Sequence, residues 1–124
     1  MAAPAERLSI LRRDDLAVVT FTDTSILDTM QIDDIGRQLN ELVEKGGCRR
    51  MVLDFANVKF LSSATLGILL TLRRKCDEAA GRLAIAALRP ELRRVFQVTR
   101  LDSMFTFYPD RATAERELAL NPEA

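Results

Sequence analysis

Hydrophobic residues near the start of the chain form two short runs of strand length. The runs cover residues 7–13 (RLSILRR) and 16–22 (LAVVTFT), and the aspartates Asp14 and Asp15 stand between them. Aspartates that separate two short apolar runs are typical of a turn. The pattern therefore predicts a β-hairpin in this part of the chain.

From residue 28 onward, the apolar positions recur every three or four residues, and charged residues occupy the positions between them. The residues on this apolar stripe are Ile32, Ile35, Leu39, Leu42 and Val43. That spacing places them on one face of an amphipathic helix. The pair Gly46-Gly47 is a signal for the end of a helix, so we expect the helix to stop there.

The middle of the chain alternates between strand-like and helix-like patterns. Residues 50–55 (RMVLDF) and 83–88 (LAIAAL) are apolar runs of strand length, and both predict largely buried strands. Between them, a helical stripe begins at Ala64 and ends at Gly81. The members of this stripe are Leu66, Leu69, Leu70, Arg73 and Cys76.

The last part of the chain predicts a helix, a strand and a second helix. Pro90 suits the first turn of a helix, and residues 104–108 (MFTFY) have the length and composition of a short strand. Three side chains of the first helix are expected to face inward: Leu92, Val95 and Phe96. Asp110 is a good N-cap for a final helix that extends to about Leu120.

The resulting order, β-β-α-β-α-β-α-β-α, predicts an α/β domain. Alternating strands and helices favour a mostly parallel β-sheet with right-handed crossovers and helices packed on it, and the N-terminal hairpin adds an antiparallel strand. A chain of 124 residues is long enough for one domain with its own core. We therefore expect a single domain over residues 1–124, with a core from about residue 7 to residue 120.

Composition excludes several classes of function. The chain has 18 Lys plus Arg, 18 Asp plus Glu and no histidine, so it lacks both the positive charge typical of nucleic-acid-binding proteins and the commonest general base. Cys48 and Cys76 have no CxxC spacing, which favours reduced thiols over a disulfide. The first residues lack a signal-peptide pattern, and the longest apolar run is too short to span a bilayer. We expect a cytoplasmic protein that binds neither nucleic acid nor membrane.

The stretch KFLSSATLGILL, residues 59–70, places Ser62 and Ser63 where a strand gives way to a helix. A serine here can cap the helix by accepting a backbone N–H of the first turn, and capping alone suffices to explain either residue. A serine nucleophile is disfavoured because histidine and a GxSxG elbow are absent, and no GxxxxGK[ST] phosphate loop occurs. A phosphorylated serine is the third possibility, because a helix N-terminus stabilises an anion.

The segment MVLDFANVKFLSSATLGILLTLRRKCDEAAGRLAIAAL, residues 51–88, resembles the core of the STAS domain of bacterial anti-sigma factor antagonists. That family has a buried strand ending in D-x-apolar, an aromatic and an apolar residue, the motif D-S-[ST]-G-[LAV]-G, and a long apolar helix. The later segment RPELRRVFQVTRLDSMF is also similar to the family. The resemblance covers nearly the whole chain, and the fold that it implies agrees with the predicted order of elements.

Alignment with the family motif assigns a position to each residue of the serine stretch. Ser63 takes the place of the phosphorylated serine, and Ser62 takes the place of the aspartate before it. Ala64 falls on the second hydroxyl position, Thr65 on the first glycine and Gly67 on the second glycine. Thr65 is therefore expected to add a β-branched side chain beside the docking surface.

Asp28, in the sequence SILD, resembles the acidic residue that lies near the phosphoacceptor in the family. From the residues alone, Asp28 is a loop or N-capping acid. Its place at the phosphorylation site, like the roles of the serine stretch, rests on the resemblance.

The resemblance implies a protein that acts by binding, with no catalytic residue, metal or cofactor. Its partner would be an anti-sigma factor with serine kinase activity, which is captured by the unphosphorylated protein and released when Ser63 is phosphorylated. A phosphatase would reverse the modification, and transcription would be regulated indirectly through the sigma factor. The alternative is a STAS scaffold or ligand sensor that is not phosphorylated, and a small enzyme is a more distant third. Self-association is left open.

Two charged clusters have simpler interpretations. Asp33 and Asp34 are far from any cluster of histidine or cysteine, so solvated charge is favoured over a metal site. Arg93, Arg94 and Arg100 form a basic patch that could face an acidic partner, although a solvated helix face is the simpler interpretation.

Overall fold

The predicted hairpin is present and forms one edge of a five-stranded sheet. The computed structural model describes residues 8–13, 15–22, 25–26, 29–45, 47 and 49–120. Strand β1 (Leu8–Arg13) pairs antiparallel with strand β2 (Leu16–Phe21). Asp15 lies in the turn between them, and Asp14 lies outside the described residues.

The remaining elements alternate between strands and helices. They are β3 (Ser25–Ile26), α1 (Thr29–Glu44), β4 (Arg50–Asp54), β5 (Phe60–Leu61), α2 (Ser63–Glu78), β6 (Arg82–Ala86), α3 (Pro90–Val98), β7 (Thr106–Tyr108) and α4 (Arg111–Leu120). The large sheet has the strand order β1-β2-β4-β6-β7, and its strands are parallel from β2 onward. The predicted single α/β domain with a mostly parallel sheet is confirmed.

Two clusters of buried side chains hold the helices on opposite faces of the large sheet. On one face, α1, α2 and α3 contribute Leu39, Leu69 and Phe96 to a common core. On the other face, Ala114 and Leu118 of α4 are buried. Alternate strand residues point to opposite faces, so each inner strand supplies both clusters. Because the four helices follow parallel strands, their N-terminal ends lie at the same end of the sheet, where the carboxyl ends of these strands are.

The described residues include one of the two glycines predicted to end α1 and one of the two cysteines. Helix α1 ends at Glu44, and Gly47 has a positive φ of 68°, a conformation that favours glycine. Cys76 is buried on α2. Gly46 and Cys48 lie outside the described residues. Within the described ranges, no helix is both long enough and apolar enough to cross a membrane.

Strands β3 and β5 were not predicted from the sequence. Each has two residues, and they pair with one another in a separate parallel sheet. Two residues are too few to give a periodic pattern of hydrophobic positions, since a strand signal needs about four or more. These short strands exist because the folded chain brings them together.

Two predictions for the last third of the chain were wrong. Val95, expected to face inward, is 38% exposed. The buried stripe of α3 runs through Leu92 and Phe96, and at 3.6 residues per turn Val95 falls to the side of that stripe. Met104 belongs to a short 3₁₀ helix, and strand β7 begins only at Thr106.

Candidate functional site

Ser62 is the N-cap of helix α2. Its backbone is extended (φ −100°, ψ 167°), and its Oγ accepts the backbone N–H of Thr65 at 3.3 Å. The hydroxyl oxygens of Ser62 and Thr65 are also within hydrogen-bond distance, at 3.2 Å. One of the free N–H groups of the first helical turn is thereby satisfied. The capping role that the sequence predicts for a serine here belongs to Ser62.

Ser63 is the first residue of α2, and its side chain is exposed. Within the described part of the chain, the side-chain hydrogen bonds of this turn are made by Ser62 and Thr65, not by Ser63. A helix N-terminus carries partial positive charge, and its first amide groups point toward solvent. A phosphoryl group on Ser63 Oγ would therefore lie where the helix stabilises an anion.

Thr65 is buried, in contrast to the position expected from the sequence. Only 3% of the residue is exposed, so its β-branched side chain does not lie on a docking surface. The reason is helical geometry: two positions after Ser63, Thr65 falls on the inward side of the first turn, whereas Ser63 and Ala64 remain exposed. Thr65 is next to the candidate phosphorylation site as a supporting residue, through its contact with Ser62.

The loop between β4 and α2 is held by two side-chain contacts with the backbone. Asp54, the last residue of β4, is 8% exposed, and its carboxylate accepts the backbone N–H of Ala56 at 2.9 Å. The Asn57 side-chain amide donates to the carbonyl oxygen of Phe21 at 3.3 Å. Contacts of this kind stabilise turns. They fix the path of the chain from the large sheet to Ser63.

The small sheet places the loop after β3 at the end of the domain where α2 begins. Ile26 of β3 stands opposite Leu61 of β5 in a parallel pair, so the chain leaves both strands in the same direction. Ser63 follows Leu61 by two positions, and Asp28 follows Ile26 by two positions. Asp28 itself lies outside the described residues, so its proximity to Ser63 stays a prediction.

Gly67 lies on the exposed side of α2, about one turn from Ser63, and has no side chain to cover the helix backbone there. A Cβ atom at Gly67 would meet no atom of the described residues within 4 Å. Its φ is not positive, so the backbone does not require glycine. Glycine inside a helix costs roughly 0.5–1 kcal/mol relative to alanine, and packing against the described part of the chain does not account for it.

Phe60 is the second exposed feature at this end of the domain. It is the first residue of β5, two positions before Ser62, and is 57% exposed, although large aromatic side chains are usually well buried. Together with the exposed start of α2 it forms what we call the α2 N-terminal surface. This surface consists of Phe60, Ser63, Ala64 and Gly67.

The other charged residues singled out in the sequence do not form a second chemical centre. Asp33 is exposed and Asp34 pairs with Arg37, as expected of solvated charge. The guanidinium of Arg93 lies 4.3 Å from the centre of the Phe107 ring, a cation–π contact. Across the described ranges, no three His, Cys, Asp or Glu side chains are grouped so as to hold a metal ion.

Comparison with known proteins gives a family and several relatives. A family model of the STAS domain matches residues 8–114. The anti-sigma F factor antagonist of Paenibacillus polymyxa is 25% identical over 92 residues, which cover 74% of this chain and 79% of that protein. BtrV of Bordetella bronchiseptica, described as a candidate anti-sigma factor antagonist, is 28% identical over 89 residues, which cover 72% of this chain and 76% of BtrV.

The fold is also similar to those of solved structures. An anti-sigma factor antagonist from Mycobacterium paratuberculosis has a TM-score of 0.78 at 25% identity, over 96% of this chain and 99% of that chain. Unphosphorylated SpoIIAA has a TM-score of 0.71 at 17% identity, over 91% of this chain and 97% of SpoIIAA. Phosphorylated SpoIIAA, a Bacillus cell fate determinant, has a TM-score of 0.69 at 19% identity, over 88% and 97%. The likeness to SpoIIAA concerns the fold alone.

Proposed function

Because this chain belongs to the STAS domain family, we propose that it is an anti-sigma factor antagonist that binds its partner through the α2 N-terminal surface. The partner is an anti-sigma factor with serine kinase activity, and its capture frees a sigma factor. The protein acts in the cytoplasm by binding rather than by catalysis, so its effect on transcription is indirect. Phosphorylation of Ser63 ends the capture, and a phosphatase restores it.

The observation that carries this proposal is the difference between the two serines. The Ser62 hydroxyl is occupied in capping α2, whereas the Ser63 side chain is exposed at the positive end of the same helix. A kinase can reach Ser63 without opening the helix. Modification of Ser62 would instead disrupt the cap.

A phosphate on Ser63 works through local charge and bulk. It adds about −1.5 to −2 charge at neutral pH. The dipole and free amides of α2 stabilise that charge within the domain, so the fold is kept. A partner that packs over Ala64 and Gly67 must accommodate a new anion in its contact surface, so the complex is lost.

Ser63, not Ser62, is expected to carry the phosphate in cells. Phosphopeptide mapping by mass spectrometry, on protein isolated from its native host, distinguishes the two positions by their fragment ions. Ser63→Ala should abolish the mark, and Ser62→Ala, the matched control, should retain it. A mark confined to Ser62 or Thr65 would contradict the alignment on which Ser63 was chosen.

Gly67→Ala is expected to stabilise the domain and weaken partner binding. The new methyl group meets no atom within 4 Å among the residues that the structure describes, so the helix gains roughly 0.5–1 kcal/mol of stability. The same methyl group separates a partner from the backbone of α2. Thermal unfolding and the Kd for the anti-sigma factor, measured on the same samples, check both effects. A more stable variant with unchanged Kd would show that Gly67 is not part of the contact surface.

A STAS scaffold or ligand sensor without phosphorylation is the second candidate. The observation that favours it is the pair Ser62 and Thr65, which replaces the aspartate and glycine of the family motif and closes the first turn by a contact between hydroxyls. Under this alternative, the intact mass of the protein stays unchanged in cells under all growth conditions. An 80 Da shift that disappears in Ser63→Ala excludes it, since about 80 Da is the mass that a phosphoryl group adds.

A further inference from the structure

Helix α3 exposes apolar side chains that the α2 N-terminal surface does not include. Val98 is 76% exposed, the highest value among the large hydrophobic residues that the structure describes, and Val95 is 38% exposed. Single exposed apolar residues are common, but neighbouring ones on a helix mark a contact surface more often. These valines are therefore a candidate for an interface.

The exposed valines share one side of α3 with two charged residues. Glu91, Arg94, Val95 and Val98 line one shallow groove along the helix, and we call this set the α3 stripe. Their spacing of three and four residues places them on one face. The buried side of the same helix, through Leu92 and Phe96, holds α3 on the sheet. The α3 stripe can therefore be occupied without disturbing the core.

Positive charge predominates on α3 and directly after it: residues 90–100 include the exposed Arg93, Arg94 and Arg100, and Glu91 is the one acidic residue among them. Arg94 and Arg100 are exposed, and neither forms an ion pair with any residue in the described ranges. Within the stripe itself, Glu91 and Arg94 are one acidic and one basic residue. The excess of arginine on α3, next to two exposed valines, matches a segment that presents both carboxylates and apolar side chains.

We infer that the α3 stripe is a second docking site for the anti-sigma factor, and that it binds an acidic amphipathic segment of that protein. The inference rests on the proposed function, because it concerns the same partner. Helices α2 and α3 pack on the same face of the sheet and begin at the same end of it, so one partner can cover both surfaces. The α3 stripe adds affinity and selects partners by charge.

A second copy of this chain is a poorer occupant of the stripe. Contact between the α3 helices of two copies would bring the Arg93, Arg94 and Arg100 of both copies together. Three arginines against one glutamate would then lie on each side of the contact, and like charges in an interface are unfavourable. The complementary surface must be acidic, which α3 of a second copy is not.

The test is isothermal titration of the anti-sigma factor kinase, first into the wild-type protein and then into two variants. Val98→Asp should raise Kd at least about tenfold, because it places a carboxylate against an acidic segment. Arg94→Glu should raise Kd about tenfold and reduce its dependence on salt, because it removes an attractive charge. The controls are Leu11→Asp on β1 and Arg116→Glu on α4, which repeat these charge changes away from α3 and should change Kd less than about twofold.

The outcomes separate the inference from the function on which it rests. If the wild type binds no anti-sigma factor, the proposed function fails, and the inference falls with it. If the wild type binds and both α3 variants bind equally well, the inference alone is overturned. Circular dichroism checks that each variant is folded. If Val98→Asp does not fold, the result for Arg94→Glu decides the inference. A dimer, detected by sedimentation and abolished by Val98→Asp, would assign the stripe to a second copy and also overturn the inference.

Discussion

Ser63→Asp is expected to weaken capture of the anti-sigma factor by about tenfold to hundredfold and to leave the fold intact. An acid at a helix N-terminus stabilises the helix by roughly 0.3–1 kcal/mol, so the melting temperature should stay constant or rise. In the complex, the same carboxylate lies beside Ala64 and Gly67, where a partner must cover and desolvate it. Misplaced charge in an interface costs several kcal/mol, and each ~1.4 kcal/mol is tenfold in Kd.

The measurement is paired: thermal unfolding of the free protein, and titration with the anti-sigma factor. Ser63→Asn is the matched control, because asparagine has nearly the shape of aspartate without its charge. We expect Ser63→Asn to retain most of the affinity. If it weakens binding as much as Ser63→Asp does, bulk rather than charge controls the interface. If Ser63→Asp binds as tightly as the wild type, Ser63 is not a switch.

Ser62→Asp combined with Thr65→Gly restores the aspartate and the first glycine of the family motif, with Ala64 unchanged, and is expected to increase the rate of phosphorylation about tenfold. The aspartate would supply an acid next to Ser63, and it caps a helix about as well as serine does. The rate is the initial velocity of phosphate transfer by a related anti-sigma kinase, with the wild type assayed in parallel. Equal rates would mean that Ser62 and Thr65 serve the kinase as well as the family residues do.

The same double variant is expected to lose about 1–3 kcal/mol of stability. Thr65 is buried and its hydroxyl meets Ser62, so glycine removes side-chain packing as well as helix propensity. An exposed position would lose only the propensity. Ser62→Asp alone should carry the gain in rate, and Thr65→Gly alone should carry most of the loss in stability. Because the two side chains touch, the single effects should not add, and a thermodynamic cycle measures that coupling.

The local features of this chain follow from its sequence. The hairpin, the amphipathic helix α1 and the alternation of strands and helices all come from the spacing of apolar residues. Asp110 is an example at the level of one side chain: its carboxylate accepts the backbone N–H of Thr113 at 2.7 Å at the start of α4. The Thr113 backbone and side-chain hydrogen bonds hold the pKa of Asp110 below its ordinary value. Capping is a contact between residues three positions apart, so where one candidate cap precedes a helix, as Asp110 does here, the sequence suffices to predict it.

Exposure at the candidate site was decided by the tertiary structure. The sequence predicts a serine at the start of a helix, but Ser62 and Ser63 are equivalent until the geometry of the turn makes one the cap and leaves the other exposed. The same turn buries Thr65, which a comparison of motifs places on the surface. Which side of a helix faces its sheet depends on residues far away in the chain, and local sequence patterns do not contain that information.

Helix α3 shows the same division between local sequence and tertiary packing. Periodicity predicts that a helix begins at Pro90 and that Leu92 and Phe96 are buried. It does not predict that Val95 lies outside the core, because the width of the buried stripe depends on how closely the sheet and the neighbouring helix approach. The sequence therefore determines which elements form and in what order. The packing of distant elements alone determines which side chains of those elements remain available to a partner.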